Sequence, residues 1–343
     1  MIDTGVPYQN DIPFLSEYYG TTLYQCKRHN IEAASPTSPI LEIYITCFDG
    51  LLYAKYQIKT LRYFMPEANI VIIDTNGNLN PEASKATEEL CIAEKVSYIK
   101  LPHNKMQDVP CYSSKLGVDM TWIFRNVVKH RQPKYFGYLD QDCFLIKPIW
   151  PYLKSYLDKK GMYGLSWQHP DRKDPDGNPY WLVHIMQNFF KYDFVKDIDL
   201  DFRPAGHWGL DTGGCNYETL FRGKNPDDYH QKWETLAEKV GEEHSDVFRD
   251  FTLHDDSRWI HIQNSTKALS GHPQERQLKE MYMTGILNGI LLNELTALQV
   301  SNCCKSEMIP PDWDMAEEMG SLYRAYTCYI CKKCKKVCEP IRL

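Results

Sequence analysis

Two aspartates separated by one residue, Asp140 and Asp142, are the residues of this sequence best placed to do chemistry. They lie between the apolar runs 135–139 and 143–149, which predict buried strands on both sides of the pair. Carboxylate oxygens in such a place suit Mg²⁺ or Mn²⁺, which proteins often hold by one or two carboxylates together with substrate phosphates. The alternative interpretation is a solvated acidic turn.

Strand-like and helix-like segments alternate ahead of this pair. Apolar, β-branched runs predict the strands, and segments of helical spacing predict the helices between them. In chain order these are strand 41–48, helix 51–64, strand 68–73, helix 81–91, strand 96–101, helix 113–130 and strand 135–139. The alternation predicts an α/β fold with a mainly parallel sheet flanked by helices. Ligands of such sheets bind beyond the carboxyl ends of the strands.

The pattern is weaker beyond residue 150. Residues 161–230 are rich in Gly, Pro, Trp and His, which predicts long loops of the kind that form functional walls or lids. Further along, residues 227–243 predict a charged helix, 258–262 a strand and 275–300 a helix. We therefore expect the less regular half of the chain to surround a site that the first half positions.

Composition narrows the class of protein. A chain of 343 residues with 43% hydrophobic residues can bury a large core, and we expect one large domain with a smaller appendage. The net charge of −6 argues against nucleic-acid binding, which needs a basic surface. No apolar run is long enough to span a bilayer, and the first residues lack the pattern of a signal peptide. The expected location is therefore cytoplasmic.

Four segments within residues 41–270 resemble nucleotide-sugar-dependent glycosyltransferases of the GT-A fold. They are the opening strand Ile43-Tyr44-Ile45-Thr46, Asp74 after the second strand, the stretch Tyr138-Leu139-Asp140-Gln141-Asp142, and residues 259–267, which include His261 and Lys267. The last segment is similar to the His…Lys segment of family-eight-like members but lacks their inner Gly and following Pro-Trp. Family-eight-like and family-two-like subfamilies both stay open, as do retaining and inverting outcomes.

The resemblance implies a donor site and a metal. Asp140, Asp142 and His261 would hold Mn²⁺ or Mg²⁺, and the metal would offset the charge that grows on the diphosphate as the sugar departs. The residues implied for binding the nucleotide sugar, with UDP favoured, are Thr46, Cys47, Phe48, Asp74, Asn76, Lys115, Asp140, Gln141, Gly213, Gly214 and Lys267. A structural strand histidine is the alternative for His261, and a surface lysine is the alternative for Lys267.

The turn Leu210-Asp211-Thr212-Gly213-Gly214-Cys215 is the second candidate for chemistry. Its glycines permit close backbone approach, so a sugar ring could lie against it. Asp211 joins Asp142 as a predicted catalytic residue, either holding donor hydroxyls or acting as general base if the enzyme inverts. A tight structural turn in which the aspartate caps its own backbone is the alternative.

The C-terminal tail poses a separate question. Cys328, Cys331, Cys334 and Cys338 have the spacing C-x2-C-x2-C-x3-C, which resembles the ligand run of bacterial ferredoxins. A structural Zn²⁺ is favoured over an iron–sulfur cluster, because lysines fill the gaps between the cysteines. Without a metal, these lysines could lie on anionic lipid. Such a peripheral membrane contact would suit a lipid-linked acceptor.

Together these features predict a metal-dependent, hexosyltransferase-like enzyme that moves a sugar from a nucleotide donor to a glycan or lipid-linked acceptor. The predicted division is an N-terminal arm or lid at 1–40, a GT-A catalytic domain at 41–270, and a helical extension with the Cys-rich tail at 271–343. Within the catalytic domain, 41–150 would be the nucleotide-binding half and 151–270 the acceptor half. The alternatives are a nucleotidyltransferase and a catalytically silent scaffold or binding protein with a metal-binding tail.

Overall fold

The computed structural model describes residues 13–31, 40–76, 79–102, 112–229, 232–240, 250–263 and 273–296, and five short strands of the tail. The strands are β1 Arg28–His29, β2 Leu41–Cys47, β3 Ala68–Asp74, β4 Ser97–Lys100, β5 Tyr135–Leu139, β6 Cys143–Leu145, β7 Met162–Tyr163, β8 Ser166–Lys173, β9 Pro179–Val183, β10 Gln187–Lys191, β11 Trp233–Thr235, β12 Phe251–His254, β13 Trp259–Ile262, β14 Gln299–Ser301, β15 Met308–Ile309, β16 Tyr329–Cys331, β17 Val337–Cys338 and β18 Pro340–Arg342.

Nine α-helical segments accompany these strands in the described part of the chain. They are α1 Pro13–Gly20, α2 Leu51–Phe64, α3 Pro81–Glu94, α4 Tyr112–Ile123, α5 Lys129–Arg131, α6 Trp150–Lys160, α7 Tyr192–Val195, α8 Leu236–Val240 and α9 Pro273–Thr296. A π-helical turn, Phe124–Val128, joins α4 to α5 without a break in the helical path.

The main sheet has the strand order β1-β4-β3-β2-β5-β10-β7. Its four central strands, β4, β3, β2 and β5, run parallel, while β1, β10 and β7 add antiparallel edges. All seven residues of β2 are buried, as expected of a strand covered on both faces. Residues of α2, α3 and α6 pack on one face of the sheet, and residues of α4 pack on the other. The predicted α/β class, with a parallel sheet flanked by helices, is confirmed.

The order of the parallel strands fixes the place of a ligand site. The chain passes from β2 outward to β3 and β4, and then returns to form β5 on the other side of β2. The connections therefore diverge at the carboxyl ends of β2 and β5, which is the topological switch point at which open α/β sheets bind ligands. Asp140 and Asp142 follow β5 directly.

A second, antiparallel sheet brings distant sequence to this point. Its order is β11-β12-β13-β6, and β6 starts immediately after the acidic pair. In the register of β13 with β6, His261 lies opposite Cys143, and the backbone N–H of Ile262 donates to the carbonyl of Asp142 at 3.0 Å. The pairing of two short strands thus places His261 beside Asp142.

Two predictions for the second half of the chain were wrong. Residues 227–243 do not form one charged helix: Trp233–Thr235 pair with β12, and α8 starts only after Thr235. A capping box explains that start, since Thr235 and Glu238 bond each other through side chain and backbone. Residues 161–230 are not mainly loops, because they contain the hairpin of β8 and β9 and the core strand β10.

The described segments on both flanks, residues 13–31 and the helix α9, contact the part of the chain between them. On the N-terminal side, the hydroxyl of Tyr18 donates to Asp119 at 2.7 Å, and β1 extends the main sheet. On the C-terminal side, the hydroxyl of Tyr56 in α2 donates to Asn288 of α9 at 3.0 Å. The division into arm, catalytic domain and extension stays a prediction. Among the described helices, none combines the length and apolar character needed to cross a bilayer.

Candidate metal centre and cleft

Asp140, Asp142 and His261 come together in the folded chain. Each offers one ligand atom, and these atoms lie within 4.8 Å of one another. The Nε2 atom of His261 is 3.3 Å from Oδ1 of Asp142. Two carboxylates and an imidazole are donors that suit Mn²⁺ or a similar divalent cation. The residues present therefore fit the implied metal.

The electrostatics of the cluster also fit a cation. Burial, and then the neighbouring charge of Asp142, raise the pKa of Asp140 from 3.8 to about 7. Burial alone would lower the pKa of His261, but the two carboxylates outweigh it and the net shift is upward. Two carboxylates this close repel each other when both are ionised, and a cation between them would remove that repulsion.

The acidic turn is held in place by its backbone. The N–H groups of Gln141 and Cys143 donate to Oδ1 and to the carbonyl of Asp140, both at 3.1 Å. From the side, Nε2 of Gln57 donates to the carbonyls of Asp140 at 2.7 Å and Cys143 at 3.0 Å. Sequence analysis missed Gln57, whose one signal is a polar residue within the apolar face of α2.

The loop after β2 forms one wall of the site and is fixed from three directions. Oε1 of Gln141 accepts the N–H of Phe48 at 3.0 Å. Oδ1 of Asn76 accepts the N–H of Asp49 at 2.9 Å. The guanidinium of Arg276, in α9, donates to the Asp49 carboxylate at 2.9 Å and to its carbonyl at 3.0 Å. The acidic turn, the segment after β3 and the helix α9 thus position the same three-residue loop.

A cleft of about 230 Å³ opens beside the acidic turn. Of the residues predicted to bind the donor or to be catalytic, it is lined by Thr46, Phe48, Lys115, Asp140, Gln141 and Asp211. Thr212, from the predicted turn, also lines it, and the lining residues that sequence analysis did not single out are Thr75, Leu79, Ser113, Leu116, Asp119, His184 and Ile185. The cleft therefore joins ends of parallel strands, the start of α4 and the turn at residue 211.

His184 is the most consequential of the missed residues. It lies between β9 and β10, where its backbone N–H donates to the carbonyl of Leu165 at 2.7 Å. Burial, and then the charge of His261, lower its pKa to about 4, so the imidazole is neutral near pH 7. A neutral imidazole at the edge of an acidic cluster can donate one hydrogen bond and accept another.

Three of the predicted donor-binding residues have other surroundings. Cys47 points away from Thr46 and Phe48, as alternation along a strand requires, and its Sγ lies 3.8 Å from the hydroxyl of Thr87. Burial raises the pKa of the Cys47 thiol to about 12. Asp74 is fully buried, and its carboxylate accepts four hydrogen bonds. The donors are the backbone and side-chain N–H groups of Asn76 and the hydroxyls of Ser84 and Tyr98.

Asn76 is fully buried between Asp74 and the loop after β2. It therefore supports the wall of the cleft without lining it. We leave Cys47, Asp74 and Asn76 out of the proposed donor site, because the hydrogen bonds and burial of these side chains give them structural roles. A position after a strand end was the basis for each of them. That position does not specify the direction of the side chain or the donors around it.

The residues of the turn 210–215 have two different roles. Asp211 is exposed and lines the cleft, and its Oδ1 accepts the N–H of Thr212 at 2.7 Å. The hydroxyl of Thr212 donates to the carbonyl of Ser113 at 3.0 Å, which ties the turn to the start of α4. Gly213 has a φ of 93°, and a Cβ on Gly214 would lie 2.6 Å from Leu210. The glycines shape the turn, while Asp211 faces the cleft.

Other predicted residues lie outside the described part of the chain. These are Lys267 in the His…Lys segment and, in the tail, Cys328 and Cys334. Cys331 ends β16 and Cys338 ends β17, and these two strands form a short antiparallel ladder in which Tyr329 is paired with Cys338 in the backbone register. The tail metal stays a prediction.

Comparisons with known proteins give similarities in structure alone. No family model and no curated protein matches the sequence. The galactosyltransferase LgtC, solved with donor and acceptor sugar analogs, matches 55% of this chain and 68% of its own at 12% identity and a TM-score of 0.34. An active-site mutant of LgtC matches 55% of this chain and 68% of its own at 13% identity and a TM-score of 0.32. TarS of S. aureus matches 47% of this chain and 30% of its own at 11% identity and a TM-score of 0.32. Similarity this distant establishes no family, so the proposal below depends on the site itself.

Proposed function

We propose that this protein is a metal-dependent glycosyltransferase that moves a sugar from a nucleotide-sugar donor to an acceptor hydroxyl. One observation supports the proposal above all. Asp140, Asp142 and His261 gather at the switch point of a parallel sheet, and Asp140 also lines a cleft to which Lys115 and Asp211 contribute. That combination suits a phosphate-bearing ligand, a cation and a hydroxyl nucleophile in one place.

Different residues of the cleft would contact different parts of the donor. Thr46 and Phe48 would contact the nucleoside, and Lys115 would contact the diphosphate. Asp140, Asp142 and His261 would hold the cation, which when bound stabilises the negative charge of the departing nucleoside diphosphate. UDP is the nucleotide we expect first.

In the transfer, the bond from the anomeric carbon to the phosphate oxygen breaks, and the diphosphate keeps the electron pair. A new bond forms from that carbon to the acceptor oxygen, whose proton must leave. Asp211 faces the cleft and would take this proton if the enzyme inverts, or would hold sugar hydroxyls if it retains. The neutral His184 beside it would accept or donate a hydrogen bond without adding charge.

A thermal-shift panel of UDP-, GDP-, CDP- and dTDP-sugars, each with Mn²⁺ and with EDTA, tests the proposal. A ligand at about a hundred times its dissociation constant stabilises the folded state by about 2.7 kcal/mol. For a chain of this size that corresponds to a shift of a few degrees. We expect one nucleotide to give a shift that requires Mn²⁺, together with slow release of the free nucleotide.

Two variants make the panel decisive. Asp142→Asn should abolish the metal-dependent shift. Asp256→Asn is the matched control, because Asp256 also belongs to an acidic pair but is exposed, and its φ of 54° is one that Asn tolerates. A stabilising nucleotide that acts equally well in EDTA, or in Asp142→Asn, would contradict the metal role. No shift with any nucleotide would favour the silent scaffold.

A further inference from the structure

An aromatic surface lies beside the cleft, on the hairpin formed by β8 and β9. Trp167 is 38% exposed although it sits in a hydrogen-bonded strand, opposite the buried Leu182. His169, two residues on, shares its face, and the two rings meet edge to face with centroids 5.8 Å apart. An exposed, ordered Trp supported by a second ring is a recurrent feature of recognition surfaces.

The loop at residues 205–210 packs against this hairpin and extends the surface. Arg172 donates to the carbonyls of Gly206 at 2.9 Å and His207 at 3.0 Å. His169 packs so closely on Gly209, whose φ is 74°, that a Cβ there would lie 2.4 Å from the imidazole. The loop is thus fixed by contacts that no larger residue at 209 would allow.

Five rings form the resulting aromatic face, which we define as Trp167, His169, Tyr180, His207 and Trp208. Trp208 stacks on Tyr180 with centroids 5.6 Å apart and planes 18° from parallel, and the His207 ring lies 4.2 Å from that of Trp208. His207 is exposed, while His169, Tyr180 and Trp208 are partly so. The face offers flat π-surfaces held by packing within the chain.

The backbone links the aromatic face to the cleft at two places. The hairpin begins next to Leu165, whose carbonyl accepts the N–H of the cleft residue His184. The loop ends at Leu210, directly before the cleft residue Asp211. A molecule lying on the face would therefore reach toward Asp211, the group that we assign to the acceptor hydroxyl or the donor sugar.

We propose that the aromatic face is the acceptor subsite and that it binds a carbohydrate chain. This inference rests on the proposed function. The C–H face of a pyranose is apolar and stacks on an aromatic ring, while its hydroxyl edge needs polar partners. Asp171, two residues beyond His169, is exposed on the same hairpin and supplies such a partner. An acyl chain would instead need a continuous apolar groove, whereas here the indole and phenol rings lie among imidazole and charged groups.

Direct titration tests the acceptor subsite without any donor. Lactose, cellobiose, maltose and N,N′-diacetylchitobiose are added to the full chain and followed by tryptophan fluorescence and ligand-observed NMR. We expect at least one disaccharide to bind with a millimolar dissociation constant. Trp167→Ala should weaken that binding roughly 3- to 10-fold, and Trp167→Phe should recover most of it, because the ring supplies the contact.

Trp233→Ala is the matched control, since Trp233 is 55% exposed but lies on β11, an edge strand of the second sheet. It should bind the disaccharide as the unmodified chain does. Equal binding by Trp167→Ala, or no binding of any disaccharide at millimolar concentration, would overturn the inference. So would Trp167-dependent binding to phosphatidylglycerol vesicles in place of sugar. The donor panel with the unmodified chain reports on the proposed function separately, because it contains no acceptor.

Discussion

Asp74 and Asp140 occupy equivalent places and have opposite surroundings. Each stands at the carboxyl end of a parallel strand, β3 or β5, on the same edge of the main sheet. The chain itself supplies four hydrogen-bond donors to the Asp74 carboxylate. Around Asp140 the chain places a second carboxylate, and the pKa of Asp140 rises to about 7.

The difference shows what separates a structural acid from a candidate ligand-binding one. A strand end only brings a carboxylate to the binding edge of a sheet. If the chain supplies enough donors, the negative charge is already stabilised and the residue holds the fold together. If the chain adds further acids instead, the cluster favours a cation from solution. Replacing each carboxylate by its neutral amide tests whether the two acids differ in this way.

The largest expected effect is on activity. Asp142→Asn should lower metal-dependent transfer or donor hydrolysis by at least about 100-fold, because the cation loses one of its charged ligands. Asp74→Asn should retain most of its activity per folded molecule. Initial rates of nucleotide release at saturating Mn²⁺ measure both. Equal losses in the two variants would mean that the distinction between the two acids is wrong.

Stability should respond in the opposite sense. Asp74→Asn should lower the free energy of unfolding by about 2–3 kcal/mol, since an amide group turns one acceptor into a donor that faces other donors. Asp140→Asn should raise it by about 2 kcal/mol at pH 8 in EDTA, because a carboxylate that is hard to ionise is removed. Urea unfolding of both variants checks this. A destabilised Asp140→Asn would indicate that the turn needs the negative charge.

Metal affinity should depend on pH. Asp140 and His261 both have raised pKa values, so protons compete with the cation, and Mn²⁺ affinity should increase as the pH rises from 6 to 8, about tenfold per unit for each proton released. Without metal, the stability of the fold depends on pH in the opposite direction to the Mn²⁺ affinity. The folded state keeps the Asp140 proton that the unfolded chain loses above 3.8, so stability should fall between about pH 4 and 7. Calorimetric titration in two buffers counts the protons, and Asp140→Asn should release fewer.

The smallest effect concerns the support of the acidic turn. Gln57→Leu keeps the size of the side chain but leaves the carbonyls of Asp140 and Cys143 without their donor, at a cost of about 1–2 kcal/mol. We expect Mn²⁺ binding to weaken about 10-fold, the lower end of what outer-shell partners contribute. The dissociation constant from the same calorimetry measures it. Unchanged affinity together with lower stability would limit Gln57 to a structural role.

Sequence alone predicted the parts of the fold that depend on local pattern. The helix predicted at 51–64 is observed at Leu51–Phe64, and the strand that carries Thr46 and the strand that precedes Asp140 are where the apolar runs place them. The helix is buried along one stripe and the strands are buried on both faces, so periodicity and composition alone predict them. The acidic pair stood out for the same reason, since it interrupts an apolar run.

The rest depends on pairing and direction, which local pattern does not contain. Cys47 and Asp74 follow or end strands as predicted, yet alternation turns one away from the cleft and neighbouring donors surround the other. His184 was missed because it joins two strands that lie in a Gly- and Pro-rich stretch. His261 came from a resemblance, since only the register of β13 with β6 shows that it meets Asp142.

That register has a consequence for how the molecule folds. The candidate metal ligands belong to segments about 120 residues apart, and they join the carboxyl edge of one sheet to an inner strand of another. A cation held there would act as a cross-link that closes this long loop, and cross-links of long loops remove the most freedom from an unfolded chain. Binding of the cation would then stabilise the folded second sheet as a disulfide stabilises a secreted protein, by restricting the unfolded chain. Amide exchange in β12 and β13 would slow when Mn²⁺ is added.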